Sequence, residues 1–454
     1  MKSTGFQSIF PGKNALAGMK PFLLLWATQA FSALGSSMTG FALIIWSYQQ
    51  QGSALATALL SVCTYAPYVL MSIFAGALSD RWDKKRTMLV CDALAAAGTL
   101  AVFWLLKAGE LQIGHLYLLN ALSGLMNTVQ QPASEVAVSL LAPKEQYQRV
   151  GGLQAFSSSL VTILTPVCAS AVLAFGGMDA VIFFDLFTFG TAFLTLLIGI
   201  RIPRREAEGP KESLLKSSRE GLRFLLRNRG LLDLIFFLAA INLVYTMFEA
   251  GLPALVLSKP AGGQLALGWI NTCAGLANLA GSLLVSLLPT PKSRVRVICA
   301  SLFLSMGVEN LLLSLTNHAL VWCVGSFLGW VTIPFMNTNM NVLFREHIPV
   351  DMQGRVYAAR NSLQFFTIPL GYLLGGFLVD RVFEPLMALQ PPLLTALFGE
   401  GKGSGAALMF LLLAILGEGV CLIFSRSRHI WSLDRADQLQ RAERAAANPQ
   451  TPQQ

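Results

Sequence analysis

Long apolar runs, each about the 20 residues that a helix needs to cross a bilayer, recur along the whole chain. Only 13% of the 454 residues are charged and 54% are hydrophobic, so the chain has about half the charge of a soluble domain. A large soluble helical core is the alternative, but it would need polar helix faces that these runs lack. The sequence therefore predicts an all-α membrane protein with twelve transmembrane helices. The predicted spans are 21–47, 54–78, 87–107, 114–140, 150–175, 178–201, 231–257, 264–288, 295–316, 319–344, 356–380 and 405–425.

The lysines and arginines predict how the chain sits in the membrane. All but four of the 33 fall in the termini or in loops on the same side as the termini. The four exceptions are Lys107, Lys259, Arg381 and Lys402. Because basic loops stay in the cytoplasm, both termini are expected to be cytoplasmic in a multi-pass protein of the cell membrane. The net charge of +9 then reflects contact with membrane lipids, and no nucleic acid partner is predicted.

A polar segment divides the spans into two sets of six. We expect a cytoplasmic N-terminus (1–20), a six-helix bundle (21–201), a cytoplasmic linker (202–230), a second bundle (231–427) and a disordered tail (428–454). The loops "PKEQYQRV" (143–150) and "PVDMQGRV" (349–356) match, and the same offset superposes the span pattern of the two halves. This repeat predicts two pseudo-symmetric bundles, the arrangement that alternating-access transporters use around one central site.

The predicted loop between spans 2 and 3 reads "GALSDRWDKKR" (76–86). It resembles the loop signature of the major facilitator superfamily, Gly-x-Leu-x-Asp-Arg followed by further basic residues. Asp83 stands where the signature usually has glycine, a departure found in the branch of macrolide-efflux and siderophore-export proteins, which the segment "DRVFEPLM" (380–387) also resembles. The resemblance covers the whole chain. It implies the major facilitator fold, a small-molecule substrate, and a cavity lined by spans 1, 4, 7 and 10.

The charged loop is expected to form a conformational latch. Gly76 allows spans 2 and 11 to approach closely, and Asp80 can accept from amides at the start of span 11, near Arg360. The basic residues of the loop can pair with Asp83, Asp92 or Asp351. Alternatively the basic residues only set the topology, but this leaves Gly76 and Asp80 unexplained. The predicted latch residues are Gly76, Asp80, Arg81, Lys85, Arg86, Asp92 and Arg360.

Polar residues at helical spacing occur on the four spans that the resemblance assigns to the cavity. In span 4 four of them, Asn127, Gln130, Gln131 and Glu135, fall on one helix face, and in span 10 two lie four residues apart. Hydrogen bonds between neighbouring helices are the alternative role for each Asn or Gln. The candidate cavity residues are Gln29 and Ser36 (span 1), Asn127, Gln130 and Gln131 (span 4), Asn242 and Tyr245 (span 7), and Asn337 and Asn341 (span 10).

Glu135 in span 4 and Glu249 in span 7 are the candidates for proton coupling. A carboxyl group in a low-dielectric cavity can take up and release a proton as the site changes sides. Each could instead bind a cationic substrate, or lie in water at the membrane interface. Asp185, Glu309 and Glu418 also lie within spans, but in spans that the resemblance places away from the cavity.

Several patterns typical of other functions are missing from the sequence. It has no phosphate-binding loop of the form G-x-x-x-x-G-K-[ST], its four His lack metal-ligand spacing, and its seven Cys form no C-x-x-C pair. We therefore predict no catalytic residue, metal or cofactor, and no enzyme. The predicted function is proton-coupled efflux of an amphipathic small molecule, such as a macrolide, a siderophore or another secondary metabolite, by a monomer. The alternatives are a lipid or lysophospholipid translocator, an importer of a small nutrient, and a transporter-like receptor.

Overall fold

A computed structural model describes residues 19–143, 146–203, 214–349 and 352–435, and these residues form helices without any strand. The all-α prediction is therefore confirmed. The helices of the first part are α1 (Lys20–Gln51), α2 (Ala54–Arg81), α3 (Lys84–Ala108), α4 (Ile113–Leu141) and α5 (Tyr147–Leu194), which continues into a π-helical turn, Thr195–Gly199.

The second part of the chain begins with a short linker helix. As in α5, one of its helices continues into a π-helical turn. Its helices are α6 (Leu214–Arg227), α7 (Arg229–Ser258), α8 (Gln264–Leu287), α9 (Arg294–Leu315), α10 (Ala319–Trp330), α11 (Ile333–His347), α12 (Gln353–Phe365), α13 (Thr367–Leu378) with the turn Val379–Phe383, α14 (Glu384–Ala388), α15 (Pro392–Phe398) and α16 (Ser404–Ser425).

Ten helical stretches in the described part of the chain are long and apolar enough to cross a membrane. One of them, Arg149–Gly199, contains two predicted spans, because Gly177 (φ +69°) breaks α5 between them. Helix α4 has the length of a span but is not among the ten, because polar residues along it lower its hydropathy. These two differences account for the gap between ten stretches and the twelve predicted spans.

Local sequence signals set the ends of α3. The Asp83 side chain accepts a hydrogen bond from the Arg86 backbone N–H at 2.9 Å and so caps the first turn. Gly109 ends the helix in the left-handed conformation (φ +72°), which glycine adopts without steric cost. The residue that replaces glycine in the family signature is thus the N-cap of span 3.

The chain divides into two compact units. The first comprises the described residues of Met1–Ala42 and Phe74–Pro210, and the second those of Leu43–Ile73 and Lys211–Gln454. The second unit thus includes the end of α1 and the beginning of α2. The division into bundles at 202–230 stays a prediction from the sequence.

Together with α9, α7 is the most buried span of the second unit, with 61% of its most apolar window inside the structure. Two glycines of α13 allow close packing against it: a Cβ at Gly371 would lie 2.7 Å from the Leu243 carbonyl oxygen, and one at Gly375 would lie 2.6 Å from that of Met247. On another face, the rings of Phe248 and Phe410 meet with centroids 4.6 Å apart. This packing fixes the rotation of α7 and so the direction of its polar side chains.

Candidate functional site

The structure describes only part of the predicted latch. The side chains of Gly76, Asp80 and Arg81 lie outside the described residues, as does Asp351, so the contact between Asp80 and span 11 stays a prediction. The Lys85 ammonium donates to the carbonyl oxygens of Leu197 (2.9 Å) and Ile200 (2.7 Å), at the end of span 6. A cation at this point stabilises the free carbonyls of a helix C-terminus.

Of the other three predicted latch residues, Arg86 donates its backbone N–H to Asp83, and Asp92 and Arg360 contact other groups. The Asp92 carboxylate accepts hydrogen bonds from the side-chain amides of Gln130 (2.5 Å) and Gln29 (3.4 Å). Two candidate cavity residues, from spans 4 and 1, thus converge on Asp92 of span 3. The structure therefore groups Asp92 with the cavity candidates of the first unit.

The Arg360 guanidinium is buried within the second unit. It lies 4.4 Å from the ring centroid of Phe344, and its Nε donates to the Gln364 side-chain oxygen at 3.0 Å. The stacking on an aromatic face and the hydrogen bond both suit an arginine in an apolar setting. These contacts join spans 10 and 11 at the end that begins with Gln353.

Helix α4 has an exposed polar stripe. Asn127, Gln131 and Glu135 follow one another at four-residue spacing, and all three side chains are exposed. The Gln131 amide donates to the Glu135 carboxylate at 3.3 Å. In a membrane-spanning helix such a stripe has to face water or another protein surface, because exposure to lipid tails is too costly.

Span 10 has a similar pair in the second unit. Asn337 and Asn341 are exposed and lie one turn apart on α11, whereas Asn339 between them is buried and accepts from Arg294 at 3.3 Å. Asn242 of span 7 donates to the Gln364 backbone oxygen at 3.1 Å, a hydrogen bond between neighbouring helices. The exposed pair thus remains the better match to a water-facing surface.

The first unit holds a second buried carboxylate, at Asp185. It accepts from the hydroxyls of Ser36 (2.9 Å) and Thr99 (3.4 Å), which belong to spans 1 and 3. Helix α1 comes close to it because residue 35 is glycine: a Cβ there would lie 3.0 Å from the Asp185 Cα. Ser36, a candidate cavity residue, therefore donates a hydrogen bond to this carboxylate.

Aromatic residues surround Glu249 in the second unit. Tyr245, one turn earlier on α7, hydrogen-bonds the carboxylate with its hydroxyl. Tyr65 of α2 and Tyr372 of α13 stack with centroids 6.0 Å apart, and both lie within electrostatic range of Glu249. The Tyr245 ring also meets the edge of Trp330 of α10 at 5.6 Å. Carboxylate and ring faces together are chemically suited to a proton or an organic cation.

Glu309 of α9 extends this cluster. It is 3% exposed, accepts from the Ser326 hydroxyl at 3.0 Å, lies close to the Trp330 indole, and interacts electrostatically with Glu249. Gly329 leaves room for it, since a Cβ there would lie 3.0 Å from a Glu309 carboxylate oxygen. The pair of carboxylates thus links spans 7, 9 and 10.

Sequence reasoning gave low priority to Asp185 and Glu309 and did not select Tyr65 and Tyr372. The first two carried a usable signal, since any ionisable residue inside a span is a functional candidate. The tyrosines carried none, because an isolated Tyr in an apolar run is as compatible with packing as with a site. In the described part of the chain no group of three or more His, Cys, Asp or Glu side chains could hold a metal ion.

Comparisons with known proteins agree with the fold and the spans. A family model described as Major Facilitator Superfamily matches residues 25–372. Macrolide efflux protein A of Streptococcus pyogenes is 25% identical over 369 residues, which cover 80% of this chain and 90% of that protein. The multidrug efflux pump Tap of Mycobacterium tuberculosis is 25% identical over 391 residues, covering 82% of this chain and 90% of that protein.

Two solved structures have a similar fold. The nucleoside transporter NupG superposes with a TM-score of 0.66 at 11% identity and covers 90% of this chain and 98% of its own. A bacterial homologue of the iron transporter ferroportin, in an inward-facing state, superposes with a TM-score of 0.64 at 14% identity and covers 89% and 98%. At this identity the similarity concerns the fold alone.

Proposed function

Because the chain belongs to the major facilitator superfamily, we propose that it is a proton-coupled transporter that exports an amphipathic small molecule by alternating access. The relatives named macrolide efflux protein A and multidrug efflux pump Tap, each 25% identical to the chain, favour export of such a compound over import of a nutrient. We place the transporter in the cell membrane with both termini in the cytoplasm, as the distribution of Lys and Arg predicts.

The observation that carries the coupling proposal is the setting of Glu249. Its carboxylate is enclosed by aromatic residues and lies near a second carboxylate, Glu309. Two carboxylates at membrane depth in mutual electrostatic range disfavour the doubly ionised state, so a proton or a cationic substrate stabilises the pair. Glu135 is exposed and lies in the polar stripe of α4, which fits contact with water or substrate better than enclosed proton storage.

Polar residues of both units support a water-facing substrate pathway. In the first unit these are the stripe of α4 and the amides of Gln29 and Gln130 on Asp92, and in the second the exposed Asn337 and Asn341. We propose that they line the cavity. Ser36, Asn242 and Tyr245 lie behind this lining, where Ser36 contacts Asp185, Asn242 contacts Gln364, and Tyr245 contacts Glu249.

The test is uptake into inverted membrane vesicles under an imposed, acid-inside pH gradient. The substrate panel contains a macrolide, a hydroxamate siderophore, a lipophilic cationic dye, a lysophospholipid and a nucleoside. We expect gradient-dependent uptake of one of the first three compounds, loss of gradient dependence in Glu249→Gln, and retention of it in Glu135→Gln. Glu418→Gln is the matched control, because Glu418 is a carboxyl of span 12 that packs against Gly307 instead of the tyrosines.

Each alternative gives a different result in the same assay. Gradient-driven uptake that survives in Glu249→Gln contradicts the coupling assignment. Transport of the lysophospholipid alone indicates a lipid translocator, and transport of the nucleoside alone a nutrient carrier. Saturable binding without flux of any compound indicates a receptor.

A further inference from the structure

The first six residues of the loop 76–86, which resembles the major facilitator signature, have a second copy elsewhere in the chain. Residues 76–81 read "GALSDR" and residues 376–381 read "GFLVDR", so both have the form G-x-L-x-D-R. The first copy lies at the end of α2, and the second runs from α13 into the π-helical turn that follows it. The two copies therefore end spans 2 and 11, the two helices that the predicted latch joins.

The aspartate of the second copy caps the beginning of α2. One Asp380 carboxylate oxygen accepts from the Ala54 N–H at 2.9 Å, and the other accepts from the Leu55 N–H at 2.9 Å and the Ser53 hydroxyl at 2.5 Å. The Ser53 hydroxyl in turn accepts from the Ala56 N–H at 3.0 Å. A carboxylate at this position satisfies free amides of the first helical turn and interacts favourably with the helix dipole.

The glycine of the second copy allows the two helices to touch. A Cβ at Gly376 would lie 2.6 Å from the Leu55 Cα and 3.0 Å from the Ala58 Cβ. The first distance is shorter than real Cβ contacts and the second is tighter than nine in ten of them, so any larger residue would push α13 away from α2. The hexapeptide thus provides, at one end of α2, the close approach and the cap that the sequence predicts for Gly76 and Asp80 at the other end.

A neighbouring contact joins the same region to α7. The Tyr48 hydroxyl, near the end of α1, hydrogen-bonds the Ser258 hydroxyl at 2.7 Å and donates to the Ala254 carbonyl at 3.3 Å. The Lys402 ammonium lies over the Tyr48 ring at 5.8 Å. The turn between α1 and α2 is therefore held to α7 and to the end of α13 by polar groups, within one compact unit.

We propose that Gly376 and Asp380 form a second latch, which holds the outer ends of spans 2 and 11 together in one state of the transport cycle. This inference rests on the proposed alternating access. When the outer ends separate, the carboxylate loses its three donors and the first turn of α2 loses its cap. The first copy is predicted to join the same two helices at the cytoplasmic side. One latch would therefore close as the other opens, each time the transporter changes between its outward-facing and inward-facing states. Asp380 is accordingly a positioning residue for the cycle and not a substrate ligand.

The test measures how often the outer ends separate. Ala58 is 3% exposed and faces Gly376, so a cysteine there is protected while the latch is closed. In a background with all seven native cysteines replaced, Ala58→Cys is labelled in intact cells with a membrane-impermeant maleimide. We expect Asp380→Asn to raise the labelling rate about tenfold, which corresponds to about 1.4 kcal/mol. Gly376→Ala should raise it as well, and Asp380→Glu should restore protection.

Two control substitutions and a second reporter separate latch opening from general loosening. Asp179→Asn removes another carboxylate of the same side, one that pairs with Lys107 at 2.5 Å, and Gly419→Ala adds a methyl group where nothing lies within 4 Å. Both should leave the labelling rate of Ala58→Cys unchanged. The second reporter is Ser314→Cys in the same background, a buried position near the outer end of α9 that should stay protected in Asp380→Asn.

Unchanged labelling of Ala58→Cys in both Asp380→Asn and Gly376→Ala would overturn the latch, and so would an equal increase at Ser314→Cys. The labelling needs no substrate, so it remains informative if the vesicle assay finds no transport. A labelling change without flux supports the latch and contradicts the proposed function. Flux without a labelling change supports the proposed function and contradicts the latch.

Discussion

Replacing Glu309 by Ala and by Gln distinguishes a hydrogen-bonding role of this carboxyl from one that requires its charge. Glu309 is almost fully buried and accepts from the Ser326 hydroxyl of α10, with the Trp330 indole close by. A glutamine side chain has nearly the same shape and keeps an oxygen that can accept from Ser326. Alanine removes the acceptor and leaves a cavity.

The contacts of Glu309 give an expected loss of unfolding free energy for each of the two substitutions. Hydrogen bonds between membrane helices contribute about 0.6 kcal/mol on average and up to about 1.7 kcal/mol each. Ser326 is 1% exposed, so its hydroxyl finds no water after Glu309→Ala, and the cavity adds a packing loss of similar size. We expect Glu309→Ala to cost about 2–4 kcal/mol of unfolding free energy, and Glu309→Gln to cost less than about 1 kcal/mol.

Thermal unfolding in detergent, followed by fluorescence-detected size exclusion, measures this difference. Glu309→Ala should lower the Tm by about 5 °C or more, whereas Glu309→Gln should stay within about 2 °C of the unchanged protein. Ser326→Ala removes the donor without leaving a large cavity and should fall between them. If Glu309→Gln is as unstable as Glu309→Ala, the charge of Glu309 and not its acceptor capacity holds α9 to α10, and the reasoning is wrong.

Two further predictions concern groups near the ends of spans. Asp83→Ala should cost about 0.5–2 kcal/mol because it removes the N-cap of α3, and Asp83→Asn should keep most of that stability; an equal loss of Tm in both variants would contradict the capping role. Burial lowers the pKa of the Lys259 ammonium, which donates to the Phe398 carbonyl at 2.7 Å, below its ordinary 10.5. Between the lowered value and 10.5 the unfolded chain binds a proton that the folded protein lacks, so stability should rise with pH in this window. The Tm of the unchanged protein measured against Lys259→Met from about pH 7 to pH 10 tests this, and a constant difference would contradict it.

Much of the fold could be predicted because a bilayer leaves few choices. An apolar run of about 20 residues has to be a helix to satisfy its backbone, so the spans follow directly from hydropathy. The exceptions have physical reasons. Helix α4 is too polar along one side to stand out by hydropathy, and α5 carries two spans separated only by Gly177.

The candidate site could be predicted only in part, because periodicity indicates a helix face but not its neighbour. The spacing in span 4 grouped Asn127, Gln130, Gln131 and Glu135 on one face, and all of these side chains except Gln130 are exposed in the structure. It could not show that Gln130 reaches Asp92 on another helix. The tertiary packing of α3 against α4 determines that contact, and a single sequence does not record it.

The hydrogen-bond partners of the intramembrane carboxylates separate two kinds of group. The partners of Asp92 are side-chain amides, and those of Asp185 and Glu249 are hydroxyls. Amides and hydroxyls can donate to a carboxylate and, after a rotation, accept from a carboxylic acid, so they tolerate both protonation states.

Asp380 differs, because two of its three donors are backbone N–H groups, which can only donate. In the functions proposed above, Glu249 exchanges the proton and Asp380 is the acceptor at the first turn of α2. This contrast explains why a glutamine at position 249 and an asparagine at position 380 should have different consequences. The first removes a titratable group and leaves its hydrogen bonds possible, whereas the second leaves the backbone N–H groups of Ala54 and Leu55 with a weaker acceptor.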